Sequence, residues 1–279
     1  MAFKLVFGAV RRDDSEVGKK PLERFARALS EVANVDVQGF EAATYAELAA
    51  GMVKGDVDVA WLPPIPFIAL EGKGVAEGLV SQRRAGRAEF HAVLIVSAGS
   101  SIRTLEEVQG ARAAWVDPYS ASGYVVPRIE LDARGIDPRA AFSAERFFRS
   151  HAEVVHALME DRADVGATYG GVDASGAVIR GAWMEVPRGP DAIRVLEVLA
   201  AIPGDVIAAR VDLPKRTRET MTRALIALAR DRVQKVFVRD LFGSEDFRRW
   251  LPAGYDTLRA QTADASAKGM LEAEEHGYD

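Results

Sequence analysis

The sequence predicts an α/β protein of two lobes, each a mixed sheet flanked by helices. Three observations predict it. Strand-like and helix-like segments alternate through residues 3–61, a second alternating run begins near His91, and the chain turns mostly helical from residue 214. A β-α-β-α-β order implies parallel neighbours joined by crossover helices. Two mixed runs followed by a helical one suggest two similar lobes.

Residues 3–9 form a short apolar run and a predicted strand. Leu22, Phe25, Ala26 and Leu29 recur at helical spacing, predicting a helix over 21–32. Residues 35–40 are a second strand. Thr44 followed by Glu47 is a capping box opening a helix over 44–54. Residues 57–61 are a third strand, ended by the prolines at 63, 64 and 66.

The second run continues with a strand over 92–97, a short helix over 101–108 and a strand over 113–116. A helix is predicted over 123–133, stopped by Gly135. Residues 142–148 read as a strand, 152–161 as a helix and 165–169 as a strand. Residues 170–192 read as loop with a short strand at 183–186. After a strand at 207–210 come helices over 214–228, 234–241, 245–250 and 257–275, and an acidic tail.

Composition narrows the function. The chain has no cysteine, which removes disulfides, thiolate metal sites and cysteine nucleophiles together. A net charge of −5 without an extended basic stretch argues against nucleic acid as a partner. No apolar run approaches the roughly 18–20 residues of a spanning helix. The opening stretch MAFKLVFGAV is apolar but short, with no basic segment before it, and is expected to be a buried strand rather than an export signal. The expected compartment is therefore cytoplasmic as numbered, or periplasmic if a leader has been removed.

In α/β folds ligands bind beyond the carboxyl ends of strands, and in two-lobed proteins often between the lobes. The DPYSASGY segment, residues 117–124, sits at such an end, between an apolar strand and a helical run. Ser120 or Ser122 can cap that helix, whose free N–H groups attract an oxyanion. Gly123 permits close backbone approach. A plain capped turn is the alternative. Ser150-His151 stands between another strand and helix, where His151 can donate to an anion or act as a base; a capping serine beside an exposed histidine is the bland alternative. His91 opens the second run and reads equally as a cleft residue or a structural histidine. His151 and His156 do not share a helix face, so metal ligation is not expected. Tyr45, Trp61 and Tyr124 can wall a pocket, although core packing explains each one singly. Arg11 follows the first strand and can meet an anion, with a solvated loop charge as the alternative. No nucleophile elbow, P-loop or zinc-protease motif is present.

Together these stretches resemble a known family. ATYAELAAGMVKGDVDVAWLPP (42–64), FHAVLIV (90–96), SIRTLEEVQGARAAWVDPYSASGYVVP (101–127), RSHAEVVHALMEDRADVGA (149–167) and IPGDVIAARVDLP (202–214) are similar, in order, to the phosphonate/phosphite/phosphate-binding proteins of ABC importers. That family has the type 2 periplasmic-binding fold, which implies one lobe of residues 1–90 with 204–279 and another of residues 91–203. The resemblance implies that Tyr45 touches the ligand, that Ser120 and Ser122 with neighbouring backbone N–H groups hold its oxygens, and that His151 is a further donor. It implies no cofactor, a small anionic ligand, a monomer, and an ABC permease or a sensor kinase as protein partner.

The sequence departs from the family pattern at three places. Ala121 stands where the family commonly has a hydroxyl, Phe90-His91-Ala92 replaces Tyr-His-Ser, and Thr168 and Tyr169 occupy the region where aminophosphonate binders place an acid. A missing hydrogen bond to a charged group is worth about 1.5–3 kcal/mol. These changes favour a carboxylate, or a phosphonate with an apolar tail. The competing function is an enzyme on the same fold, of the chorismate-dehydratase or thiamine-precursor type, for which His151 is the evident acid/base candidate.

Overall fold

The computed structural model describes residues 4–10, 19–84, 86–243 and 246–271. Arg11 lies outside them. The described chain divides into two compact units, Met1–Glu89 with Pro203–Tyr255, and Phe90–Ile202 with Asp256–Asp279.

In the first unit the expected alternation appears as β1 (Lys4–Val10), α1 (Lys19–Ala33), β2 (Asp36–Ala42), α2 (Tyr45–Lys54) and β3 (Val59–Leu62). β1 pairs in parallel with both β2 and β3. The capping box forms as predicted: Glu47 N–H donates to Thr44 Oγ1 at 3.1 Å, and Ala43 N–H to Glu47 Oε2 at 2.7 Å. Gly55, left-handed at φ 87°, ends α2.

Two elements then depart from the prediction. The prolines after β3 open a helix, α3 (Pro64–Gly72), because proline's fixed φ suits the first turn and its missing N–H is no loss there. β4 (Ala76–Arg83) follows, with no turn chemistry strong enough to announce it. β11 (Val206–Arg210) later inserts antiparallel between β3 and β4. The helices α7 (Lys215–Arg230) and α8 (Lys235–Phe242) succeed it. The segment expected to be helical at 245–250 is instead β12 (Asp246–Arg249), held antiparallel against β4. Cross-strand pairing outweighs helix propensity over so short a run. The sheet order is β12-β4-β11-β3-β1-β2, a mixed sheet as the sequence predicts. Its core is aromatic: Phe25 and Trp61 both meet Phe242 edge-on, at 4.9 and 5.0 Å.

The second unit contains β5 (Glu89–Ser97), β6 (Arg112–Trp115), α4 (Val126–Ala133), β7 (Ala144–Phe147), α5 (His151–Met159), β8 (Val165–Val172), β9 (Val178–Gly181), the short α6 (Gly189–Ala192) and β10 (Ile193–Pro203). β6 runs parallel to β7 and β8, while β5 is antiparallel to β8. The strand expected at 183–186 is a 3-10 turn at Ala182–Met184, which tucks Trp183 into the core. The helix expected at 101–108 shortens to one such turn at Glu106–Val108.

The C-terminal helix α9 (Asp256–Ala267) groups with this unit, whereas the family resemblance implies that 204–279 belongs with the first lobe. Specific bonds hold it there. Arg128 Nε on α4 donates to the Met270 carbonyl at 2.8 Å, and Lys268 Nζ meets Asp132 at 3.0 Å. No helix among the described residues is long and apolar enough to cross a membrane.

Candidate functional site

Parallel pairing brings three strand ends to one level. Trp115 is in register with Phe147, and Ala114 with Gly166, so the chain leaving β6, the chain leaving β7 and the Thr168 region of β8 lie side by side. Backbone bonds stitch the first two together: Phe148 N–H donates to Trp115 O at 2.8 Å, and Arg149 N–H to Val116 O at 2.7 Å. Arg149 adopts φ 68° at this crossing.

The 117–124 segment then builds its turn. Asp117 Oδ1 accepts the Tyr119 N–H at 2.7 Å. Ser120 is the cap, its Oγ accepting the Gly123 N–H at 3.0 Å. The next residues, Ala121–Val125, form a π-helical turn rather than the start of a plain α-helix. Val125 N–H reaches back to Ser120 O at 3.0 Å, and Val126 N–H to Ala121 O. Such a turn widens the helix opening and is frequent at functional sites. The Ser120 hydroxyl accepts one bond here and keeps its own hydrogen to donate. Ser122, 3% exposed, sits one residue into the turn.

Gly123 is required by space, not by φ. A Cβ there would stand 2.3 Å from Val116 Cγ2 and 2.8 Å from Ser120 Oγ. Asp117 is half-buried, and burial pushes its carboxyl up to about 6 against the pull of the Tyr119 and Ser120 N–H groups. The folded chain therefore holds a proton between about pH 4 and 6 that the unfolded chain has already lost. Stability falls as pH rises through that window, by up to about 3 kcal/mol, and stays reduced above it. Asp117→Asn keeps an acceptor for Tyr119 without the charge. Melting temperatures measured across pH 4–7 are expected to show a flatter profile and a gain at neutral pH (superimposable profiles would refute the assignment).

On the next strand end, Ser150 caps α5 through the Glu153 N–H at 3.1 Å and sets His151 at the first helical position. His151 Nδ1 lies 2.8 Å from Thr168 Oγ1. Its ring meets Tyr169 edge-on at 4.9 Å, and the Tyr169 hydroxyl donates to Glu185 Oε1 at 2.7 Å. β8 packs against the π-turn. The second unit thus carries Ser120, Ser122, His151 and Thr168 at one end of its sheet. Antiparallel pairing sets Thr168 opposite Val93 and His91 opposite Gly170, so the start of β5 reaches the same sheet end.

The chain matches a family model. The model for the periplasmic substrate-binding protein of ABC phosphonate transporters covers residues 7–255. The chain belongs to that family. The phosphonate-binding family is one of periplasmic proteins that present a small ligand to an ABC transporter, in keeping with the resemblance read from the motifs. A Xanthomonas citri protein bound to chloride has the same fold at a TM-score of 0.79 and 20% identity, over 95% of this chain and 98% of that one. The binding component of an ABC phosphonate transporter from Pseudomonas aeruginosa gives 0.78 and 21%, over 99% and 91%. PhnD1 from Prochlorococcus marinus in complex with methylphosphonate gives 0.75 and 17%, over 94% and 98%. The phosphate-import protein PhnD of Mycolicibacterium smegmatis is 24% identical over 136 residues, 47% of this chain and 42% of that protein. The match thus spans less than half the length of that relative.

Within this phosphonate-family fold the remaining expected residues separate. Tyr45, half-buried, opens α2 in the first unit directly after its cap. Trp61 is 7% exposed and belongs to the first unit's core against Phe242, so packing claims its ring. Tyr124 is 1% exposed and wedged between Trp115 and Phe147, with the Arg128 guanidinium 5.1 Å from its ring. Burial raises its hydroxyl pKa, and its side chain serves the core beneath the turn. Ala121 is buried with the turn. Sequence reasoning missed Glu185, which reaches Tyr169 from sixteen residues on within a glycine-rich stretch that carries no motif. It also missed Arg149 and Val116, whose roles are a backbone bond and a steric wall. Among the described residues no group of three or more His, Cys, Asp or Glu can hold a metal ion.

Proposed function

We propose that this protein captures a small oxyanion on the 120–125 turn and His151 and delivers it to an ABC permease. The observation that carries this is the level alignment of the β6, β7 and β8 ends. It gathers two serines, a histidine and the opening of a helix. The donors are hydroxyls, backbone N–H groups and an imidazole, which suit an anion's oxygens without a full opposing charge. The buried Ala121, Phe90 and Ala92 stand where the family commonly offers hydroxyls. They favour a carboxylate, or a phosphonate with an apolar tail, over inorganic phosphate.

The same site reads as binding rather than catalysis. Asp117 is spent on the Tyr119 N–H, and the partner of His151 Nδ1 is a hydroxyl rather than the carboxylate that would raise its basicity. The protein acts as a monomer, and a permease suits it better than a sensor kinase because its family serves transporters. Calorimetry with methylphosphonate, phosphate and small carboxylates tests the ligand class. Tight phosphate binding with no carboxylate binding would overturn the apolar-tail reading. His151→Ala is expected to weaken anion binding roughly tenfold with the ligand-free melting temperature unchanged. A large drop in that temperature with unchanged affinity would make His151 structural.

A further inference from the structure

We propose that Thr168 is a positioning residue for His151, donating its hydroxyl to Nδ1 so that the neutral ring carries its hydrogen on Nε2 and offers it to the bound anion. The inference rests on the site reading above for the ligand. For the ring it rests on geometry alone. Thr168 is wholly buried in β8, and its Oγ1 lies 2.8 Å from His151 Nδ1. Among the described residues this is the one side-chain hydrogen bond Thr168 makes.

The two atoms can share a hydrogen in either direction. If the ring donated, the hydrogen of the wholly buried threonine hydroxyl would be left with no acceptor, an unmade hydrogen bond. If the hydroxyl donates, both groups are satisfied, Nδ1 is the acceptor, and the ring hydrogen is on Nε2. A charged ring, with hydrogens on both nitrogens, would also strand the hydroxyl. Thr168 therefore selects one neutral tautomer, and an oxyanion needs a donor. Tyr169 braces the ring from its edge, and its own hydroxyl is anchored on Glu185. The ring is thus fixed in orientation and in hydrogen placement before the ligand arrives, which removes an ordering cost from binding.

Long-range proton–nitrogen NMR on ligand-free protein with labelled histidine tests this. The His151 signals are assigned by their absence from His151→Ala. Wild type and Thr168→Ser are expected to show a neutral ring protonated at Nε2. Thr168→Val, close in shape, is expected to lose that single tautomer and to bind methylphosphonate roughly tenfold more weakly at a retained melting temperature. Thr168→Ser is expected to keep most of the affinity. A wild-type ring protonated at Nδ1 overturns the inference. So does a Thr168→Val protein with unchanged ring signals and unchanged affinity. Wild type and Thr168→Ser decide the tautomer even where Thr168→Val does not fold. The ring is read without ligand, so a wrong tautomer sinks this inference alone. Unchanged affinity in His151→Ala sinks the site reading beneath it.

Discussion

Ser122→Asp is expected to abolish anion binding. Ser122 is 3% exposed at the opening of the π-turn, one residue past the capping Ser120. A carboxylate there meets the same N–H groups that would receive the ligand, and it repels the ligand's charge. Two like charges about 4 Å apart at an effective dielectric near 20 repel by roughly 4 kcal/mol, a loss of roughly a thousandfold in affinity. Ser122→Ala is the control. It removes one hydroxyl and should cost roughly tenfold. Calorimetry with methylphosphonate reads both, and circular dichroism checks that each variant folds. A folded Ser122→Asp protein with wild-type affinity would remove the turn from the site.

Gly123→Ala is expected to be the most destabilising single-methyl change in the second unit's site. The added carbon would fall 2.6 Å from Val116 Cβ, which is close to the backbone and cannot swing away as a flexible tip can. It would also press on Ser120 Oγ, the atom that caps the turn through the Gly123 N–H. Overpacking of this kind costs about 1–3 kcal/mol, and a displaced cap adds about 1 kcal/mol. The melting temperature should fall by several degrees, with anion affinity falling alongside it as the turn opens. Retained stability would mean that Val116 gives way more easily than its backbone bonds to Gly123 and Arg149 suggest.

Much of this was legible in the chain. The 117–124 segment announced itself because hydroxyls and glycine follow an apolar strand, and each residue type has a local reason to be there. Thr44 with Glu47, and Ser150 before α5, are caps whose partners lie three residues on, so spacing alone finds them. The failures are long-range. β12 was read as helix because four residues of DFRR carry no decisive period, and its pairing with β4 lies far along the chain. α3 was hidden by prolines that read as breakers but serve as its first turn. Trp61 and Tyr124 each carry a polar handle that can face a pocket, and the core contacts that the sequence offers as the alternative come from the distant rings of Phe242 and Phe147.

The sequence by itself determined the local grammar of this protein: its alternation of strand and helix, its capped helix starts, its hydroxyl-rich turn and its kinship with the phosphonate-binding family. These follow from interactions within a few residues, which a linear pattern records. The tertiary structure decided what required distant partners. It put α9 against α4, and it set Thr168 on the ring of His151, seventeen residues away. It also bonded the chain after β7 to the chain after β6, through Phe148 to Trp115 and Arg149 to Val116. Sheet register and packing choose these, because a strand pairing or a buried hydroxyl takes its partner from whichever segment the fold brings within about 3 Å.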